Sequence, residues 1–345
     1  MAPLIVLILV FVAAFGLSWL TCAITMRIGV VDAPDGERKL QAAPVPRLGG
    51  IGIMAALAIV IVVVAIVHTI RPDWLTGDFL PGAVPAVFVA LGAAACFTLI
   101  GAGDDVFDMP AKLKLALLLV VCIASPLLGV AAPVLTTPFG DVTALPLLLA
   151  GSALWLLVFT NAANFMDGSN GLSMGCLAIM FAGLAASLAL TGHGTPPPGL
   201  IAVIGAIGGF LVHNLAGKLY AGDAGAFGVS GLFATLALIS GLPVWTVATL
   251  ALPFLVDIIL TLIDRTRRKQ SLFNAHRDHA YQALLKSSWA HLDVAVMWWG
   301  LSAACAVAAA IGAVGGGALP FLLFWLMTAA LLPGWFLARR EAQNV

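Results

Sequence analysis

An apolar run that ends in a cluster of acids decides how this chain folds. Residues 83–108 read AVPAVFVALGAAACFTLIGAGDDVFD, so the run closes on Asp104, Asp105 and Asp108. A helix of roughly twenty apolar residues is long enough to cross the hydrocarbon core of a bilayer. Carboxylates crowded at that boundary repel one another, and they are tolerated mainly where a cation or a phosphorylated ligand's metal is held. The stretch predicts a membrane-spanning helix with a functional site at its end.

The rest of the chain has the same apolar character. Of its 345 residues, 62% are hydrophobic and 9% are charged, and the mean hydropathy is +1.10. That leaves too little polar surface for a water-soluble domain. The composition predicts an all-α polytopic integral membrane protein with residues 1–345 in a single transmembrane domain. The five cysteines lie singly in apolar stretches and indicate buried packing rather than a metal site.

About eleven segments have the length of a bilayer crossing. The first lacks a basic leader and is too long for a signal-peptide core, so we expect it to be a retained transmembrane helix. We place the spans at 3–26, 49–68, 83–101, 113–131, 144–162, 172–191, 199–215, 227–241, 244–263, 291–311 and 319–338.

Lysine and arginine predict the orientation. With eleven spans, Arg71 alone of the 16 basic residues lies in one set of loops, and the others lie in the opposite set or in the tail. Basic residues accumulate on the cytoplasmic side, so we expect the amino terminus outside and the carboxyl terminus in the cytoplasm. Five polar loops then share the cytoplasmic face. The external loops 132–143 and 192–198 are expected to form tight turns, with a hairpin in the first.

The second of the polar loops carries the acidic cluster. Asp104 and Asp108 are four residues apart and Asp105 and Asp108 three, so all three share one face if the helix continues through them. Carboxylates at this spacing suit Mg²⁺, with Mn²⁺ as the alternative ion, and one of them could instead act as a base. A solvated acidic helix end is the alternative interpretation.

The third and fourth loops add amides and another acid. Asn161 and Asn164 precede Asp167 and Asn170, and each of the last two is followed by glycine. Amides and carboxylates can bind the edge of a nucleobase or a sugar, although helix capping explains part of the pattern. In the fourth loop Asp223 lies between glycines, either in a tight turn or as a metal ligand.

The first and fifth loops are basic. In the first, Lys39 and Arg47 precede two glycines that open the next helix, an arrangement that favours anions. A loop that is basic only for topology is the alternative. In the fifth, Arg277 lies between His276 and His279, which could bind phosphate or transfer protons. Zinc is less favoured, because no cysteine or third histidine lies at ligand spacing.

Five motifs in this order resemble those of the polyprenyl-phosphate N-acetylhexosamine-1-phosphate transferases. They are Asp-x-Pro…Arg-Lys…Pro-Arg-x-Gly-Gly from Asp32, Asp-Asp-x-x-Asp from Asp104, Asn-x-x-Asn-x-x-Asp-Gly from Asn161, Gly-Asp-x-Gly from Gly222, and the histidine loop that ends at Gln282. The resemblance covers nearly the whole chain. The form His-Arg-x-His-x-Tyr-Gln is similar to the branch that initiates O-antigen, whereas Asn170 stands where many relatives carry Asp.

The resemblance implies a reaction at the cytoplasmic face of a bacterial inner membrane. An N-acetylhexosamine-1-phosphate would pass from a UDP-N-acetylhexosamine to undecaprenyl phosphate, and UMP would leave, with Mg²⁺ as the cofactor. This would be the first membrane step in the synthesis of O-antigen or another cell-surface polysaccharide. Membrane lipid is the surrounding partner, no nucleic acid is expected, and a homodimer is left open.

The resemblance also implies roles for single residues. The metal ligands would be Asp223 and Asp104. The catalytic set would be Asp104, Asp105, Asp108, His276 and His279. The substrate contacts would come from Lys39, Arg47, Asn161, Asn164, Asp167, Asn170 and Arg277.

Two other functions compete with this one. A transporter or flippase for a nucleotide sugar or a lipid-linked sugar should carry its polar residues near the midplane, often in related halves. Here only Asp257 and His213 approach the interior. For Asp257, a functional role and a structural polar contact are equally expected. A non-catalytic scaffold for glycan assembly has no need of five intact motifs.

Overall fold

The computed structural model describes residues 3–32, 44–71, 78–271 and 277–341. Helices make up most of this part of the chain, and two short antiparallel strand pairs lie between them. The helices are α1 Pro3–Thr25, α2 Gly49–Ile70, α3 Val84–Phe107, α4 Ala111–Leu127, α5 Leu145–Phe165, α6 Leu172–Leu188, α7 Pro198–Leu215, α8 Gly222–Ile239, α9 Val244–Arg267, α10 Ala280–Lys286, α11 His291–Gly315 and α12 Leu319–Glu341. The strands are β1 Val31–Asp32 with β2 Val45–Pro46, and β3 Leu135–Thr137 with β4 Gly140–Val142.

The all-α polytopic prediction is confirmed. In the described ranges, ten helices are long and apolar enough to cross a membrane, and they are all the helices except α4 and α10. The remaining expected span corresponds to α4, which has 17 residues. Lys114 near its start contacts Asp104 at the end of α3, and Ala132 beyond its end donates to Ser152 in the first half of α5. Helix α4 thus runs between the two ends of the bundle, in the place of the fourth expected span.

The polar loops meet at one end of the bundle, as an alternation of eleven spans requires. The main-chain N–H of Gly50 in α2 donates to the carbonyl of Ala221, just before α8, at 2.8 Å. Arg339 in the last turn of α12 forms an ion pair of 2.8 Å with Asp264 near the end of α9. At the opposite end, β3 and β4 form the hairpin that was expected in the loop 132–143. In the described residues, the start of α2 therefore lies beside the start of α8, and the end of α12 lies beside the end of α9.

Helix α8 is the centre of the bundle, with 15 of its 18 residues buried. It packs most extensively on α3, and glycines allow the two helices to approach closely. A Cβ atom on Gly228 would lie 2.2 Å from Thr98 Oγ1, and one on Gly101 would lie 2.2 Å from the carbonyl oxygen of Asp223. No side chain fits in these places. The contact therefore fixes the register of the two helices and brings the acids at the end of α3 beside the start of α8.

Several boundaries differ from the sequence predictions, and the differences lie at the polar end. Helix α8 begins at Gly222, so the Gly-Asp-x-Gly motif forms the first turn of a helix. The short helix α10 was not expected. The paired strands β1 and β2, with Val31 opposite Pro46, were not predicted in the first loop.

We expect Gly101→Ala to lower the free energy of unfolding by about 1–3 kcal/mol, because a tightly packed interface has no room for the added methyl group. Gly92→Ala in the same helix is the matched control, since nothing lies within 4 Å of its Cβ position. That substitution should be neutral or slightly stabilising, because alanine favours helices more than glycine does. Thermal unfolding of both variants in one detergent measures the difference, and equal midpoints would contradict the close approach of α3 and α8.

Candidate active site

Two acids from distant parts of the chain meet at one lysine. Lys114 Nζ, near the start of α4, lies 2.9 Å from Asp104 Oδ2 of α3 and 2.9 Å from Asp223 Oδ2 in the first turn of α8. Asn164, near the end of α5, donates from Nδ2 to Asp223 Oδ1 at 2.9 Å. Asp104 Oδ1 accepts the main-chain N–H of Met109 at 3.1 Å. Four helices thus contribute to one polar cluster.

This arrangement suits a divalent cation. The ammonium group of Lys114 lies between the two carboxylates, which marks a position where positive charge is favoured. Within the described residues, no group of three or more His, Cys, Asp or Glu side chains is placed to hold a metal. Mg²⁺ is commonly held by one or two carboxylates, with waters and substrate phosphates completing its shell. Asp104 and Asp223 fit such an ion, and Asn164 would orient the Asp223 carboxylate.

Asp105 is adjacent in sequence but differently placed. The residue is 4% exposed, and both of its carboxylate oxygens accept main-chain N–H groups. Oδ1 bonds the N–H of Asp223 at 3.1 Å, and Oδ2 bonds that of Ala224 at 3.0 Å. Arg47 donates from Nε to the main-chain carbonyl of Asp105 at 3.0 Å. The protein itself thus engages Asp105 and Arg47, two residues expected to act on the substrates.

The third loop adds a fourth carboxylate to Asp104, Asp105 and Asp223. Burial raises the pKa of Asp167 well above its usual range, the charges of Asp223 and Asp105 raise it further, and a hydrogen bond with Ser173 opposes them. A protonated carboxyl group can both donate and accept a hydrogen bond. Asp167 is therefore suited to binding the polar edge of a base or a sugar. We call these four acids together with Lys114 the carboxylate cluster.

Asn214 ties the third loop to the fourth. Its Oδ1 accepts the main-chain N–H of Gly171 at 2.6 Å, and its Nδ2 donates to the carbonyl of Leu219 at 2.9 Å. Asn170 is partly buried beside this link, with Nδ2 3.8 Å from where a Cβ atom of Gly217 would lie. The loop that holds Asp167 is thereby fixed relative to the start of α8.

Asp108 is turned to solvent, and Asn161 bonds within its own helix. The expectation that three aspartates share one helix face is wrong for Asp108, because α3 ends at Phe107 and Asp108 takes a left-handed conformation with φ of 49°. Its side chain is exposed. Asn161 donates from Nδ2 to the carbonyl of Leu157 at 2.8 Å, a bond within its own helix.

In the fifth loop, His279 is buried rather than open to the cluster. It is 2% exposed, and its ring stacks with Phe165 at 5.8 Å and with Tyr281 at 6.1 Å between centroids. Tyr281 donates from its hydroxyl to the carbonyl of Phe165 at 2.9 Å. His279 therefore packs against the end of α5, and its expected role at the phosphates stays a prediction.

Asp257 anchors the fifth loop to two helices. It is 2% exposed, and its Oδ1 accepts from the main-chain N–H of Ala280 at 2.9 Å and from Trp335 Nε1 of α12 at 3.0 Å. Thr261 Oγ1 lies 3.2 Å from the same oxygen. Of the two roles considered for this intramembrane acid, the structural contact is the one present.

Three predicted residues can be placed only in part or not at all. Lys39 and His276 lie outside the described residues. Arg277 precedes α10, and its carbonyl accepts from Lys286 Nζ at 2.8 Å. Their roles at the substrate stay predictions.

Lys114 is the principal residue that sequence reasoning missed. Its signal was its place four residues after Pro110 and ten residues beyond Asp104. A connection this short makes consecutive helices antiparallel neighbours, so a cation near the start of one helix meets an acid at the end of the other.

The comparison with known proteins assigns the class that this fold and site suggest. Residues 87–241 match glycosyl transferase family 4. The chain belongs to that family, the polyprenyl-phosphate N-acetylhexosamine-1-phosphate transferases, and it is a membrane transferase. It is 30% identical over 316 residues to the decaprenyl-phosphate N-acetylglucosaminephosphotransferase of Mycobacterium tuberculosis (strain ATCC 25618 / H37Rv), across 80% of this chain and 75% of the relative.

Two further relatives come from other bacterial groups. The undecaprenyl-phosphate alpha-N-acetylglucosaminyl 1-phosphate transferase of Yersinia pestis is 25% identical over 351 residues, across 94% of this chain and 87% of the relative. The probable undecaprenyl-phosphate N-acetylglucosaminyl 1-phosphate transferase of Bacillus subtilis (strain 168) is 28% identical over 282 residues, across 78% and 73%.

We expect Asp167→Asn to stabilise the metal-free protein at neutral and alkaline pH. The pKa of Asp167 is raised in the folded protein. Ionising it therefore lowers stability as the pH rises from the unfolded value towards the folded one. Asparagine carries no charge, so its gain over wild type should vanish as the pH falls to about 4, the unfolded value. Thermal unfolding in EDTA across this range measures the gain, and a gain that does not vary with pH would contradict it.

Proposed function

We propose that the protein transfers N-acetylhexosamine-1-phosphate from a UDP-sugar to undecaprenyl phosphate, with release of UMP. The observation that carries the proposal is the meeting of Asp104 and Asp223 at Lys114, at the end of a helical bundle. A cation site at that position suits a reaction between a soluble anionic donor and an anionic acceptor whose tail stays in lipid. The names of the three relatives support it, since each specifies N-acetylglucosamine and a polyprenyl phosphate.

The chemistry needs charge neutralisation more than proton transfer. An oxygen of the lipid phosphate attacks the phosphorus that carries the sugar. A new P–O bond forms while the bond to the bridging oxygen breaks, and UMP leaves with that electron pair. All the reacting groups are anionic, so the barrier falls mainly through positioning and compensation of charge. Mg²⁺, or Mn²⁺ in its place, would polarise the phosphate oxygens when bound.

The chain's own residues supply the remaining parts. Asp104 and Asp223 would hold the cation, and Asn164 keeps the Asp223 carboxylate in place through its 2.9 Å hydrogen bond. Lys114 would turn to the phosphates once the cation compensates the two acids. Asp167, with its raised pKa, would bind the nucleotide or the sugar.

The donor and the pathway follow from two kinds of similarity. The relatives' names make UDP-N-acetylglucosamine the first donor to test. The histidine-loop form favours O-antigen synthesis, in which N-acetylfucosamine and N-acetylquinovosamine are further candidates. Transport is not favoured, because Asp257, the acid that the sequence places within a span, bonds main-chain and side-chain donors of its own protein.

UMP release tests the proposal. Purified protein with UDP-N-acetylglucosamine and Mg²⁺ should release UMP only when undecaprenyl phosphate is present. Asp223→Asn should lower turnover by about a hundredfold or more, because the cation that compensates the negative charge of the phosphates would be poorly held. Asp141→Asn, on the exposed hairpin at the other end, is the control and should keep full activity. Wild-type turnover in Asp223→Asn, or no release with any UDP-N-acetylhexosamine, would refute the proposal.

The cytoplasmic orientation is part of the proposal and has its own test. Phe139 is 97% exposed on the hairpin, whereas Arg267 is exposed at the end of α9 near the polar loops. In a variant lacking the exposed Cys96, Phe139→Cys should react with a membrane-impermeant thiol reagent in intact cells. Arg267→Cys should react only after permeabilisation. Labelling of Arg267→Cys in intact cells would overturn the orientation.

A further inference from the structure

The carboxylate of Asp105 caps the helix that carries Asp223. The first N–H groups of an α-helix have no partners within the helix. Here two of them, from Asp223 and Ala224, donate to the two oxygens of Asp105 at 3.1 and 3.0 Å. A carboxylate at a helix start is also favoured by the helix dipole, and such charge-assisted bonds are stronger than neutral ones. The donors of the helix thus occupy both oxygens.

Arg47 holds Asp105 from the other side. Its Nε donates to the main-chain carbonyl of Asp105 at 3.0 Å, its Nη2 donates to the same carbonyl, and its Nε lies 3.6 Å from Asp105 Oδ1. Arg47 Nη1 lies 3.7 Å from Asp32 Oδ1 on β1. The guanidinium group therefore connects the first loop to the end of α3 and is turned towards groups of its own protein.

Main-chain contacts also hold the first loop against the start of α8. Gly49 and Gly50 donate to the carbonyls of Tyr220 and Ala221 at 2.9 and 2.8 Å. Gly222 has φ of +68°, and a Cβ atom there would lie 2.1 Å from the carbonyl oxygen of Arg47 and 2.6 Å from Asp105 Oδ2. The start of α8 is therefore held by both the first loop and α3, with no space for a side chain between them.

We propose that Asp105 and Arg47 are positioning residues, which set the start of α8 so that Asp223 faces Asp104 across a cation, and that Asp105 is not the base of the reaction. The inference rests on the proposed function. It explains why two adjacent aspartates differ, since Asp104 points to Lys114 whereas Asp105 points to the main chain of α8.

Metal binding without substrates gives the first test. Mn²⁺ is titrated into purified protein, and the free ion is measured by electron paramagnetic resonance. Asp105→Asn replaces one carboxylate oxygen with an amide nitrogen, which donates and cannot accept, so we expect roughly tenfold weaker Mn²⁺ binding. Asp223→Asn should abolish binding. Asp293→Asn removes another acid from the first turn of a helix, in α11, and should bind as wild type does.

Turnover at saturating Mn²⁺ or Mg²⁺ gives the second test. If Asp105 is a positioning residue, the Asp105→Asn variant should require a higher metal concentration for activity. At saturating metal its kcat should lie within about tenfold of the wild-type value. Unchanged Mn²⁺ binding would overturn the proposal, and unchanged binding with turnover lost at every metal concentration would identify Asp105 as the base. Arg47→Lys keeps the charge but not the fork of donors, so it should weaken Mn²⁺ binding in the same direction. It replaces Asp105→Asn if that variant does not fold.

The Mn²⁺-binding measurement and the turnover measurement distinguish this inference from the proposed function. Wild-type protein that binds Mn²⁺ but releases no UMP with any donor refutes the transferase proposal. The effect of Asp105→Asn on Mn²⁺ binding then still decides whether the cap positions Asp223.

Discussion

The need to compensate several carboxylates at the edge of a bilayer is the constraint on which the rest of this structure depends. Each acid is compensated in a different way. Asp104 and Asp223 share the ammonium group of Lys114, Asp105 accepts two main-chain donors, and Asp167 has a raised pKa that favours its neutral form. These solutions require the ends of α3 and α5 and the starts of α4 and α8 to lie together. The compensation of the acids and the arrangement of the helices therefore depend on each other.

The glycines of the motifs serve this arrangement by allowing backbones to touch. A Cβ atom on Gly50 would lie 1.9 Å from the main-chain nitrogen of Gly225, although these residues lie in the first turns of different helices, α2 and α8. Glycine pairs before a helix often indicate anion binding. Here the pair that opens α2 bonds the carbonyls of Tyr220 and Ala221 instead. The first and fourth motifs therefore describe two sides of one contact.

The sequence predicted the crossings and the common face well, because both depend on local composition. Apolar length indicates a span and basic residues indicate a side, whatever the tertiary packing. It also predicted that Asp104, Asn164 and Asp223 belong to one site, and the structure brings these three together. Their order along the chain gave that result through the family resemblance rather than through any measure of distance.

What the sequence could not provide was the direction in which each polar side chain points. Asp104 and Asp105 are neighbours of the same type, yet the rotation of α3 against α8 turns one to Lys114 and the other to a main chain 118 residues away. Asp108 does not continue the helix, because α3 ends one residue earlier, at Phe107. The burial of His279 depends on Phe165 and Tyr281, and no pattern of spacing connects those rings in advance.

The bond from Trp335 to Asp257 has a consequence for the order in which the protein matures. Asp257 also holds the first residue of α10, and α10 in turn supports the end of α5. Helix α12 leaves the ribosome after all of these segments. The bond between Trp335 and Asp257, which ties α12 to the fifth loop, can therefore form only after every other helix of the bundle has been synthesised.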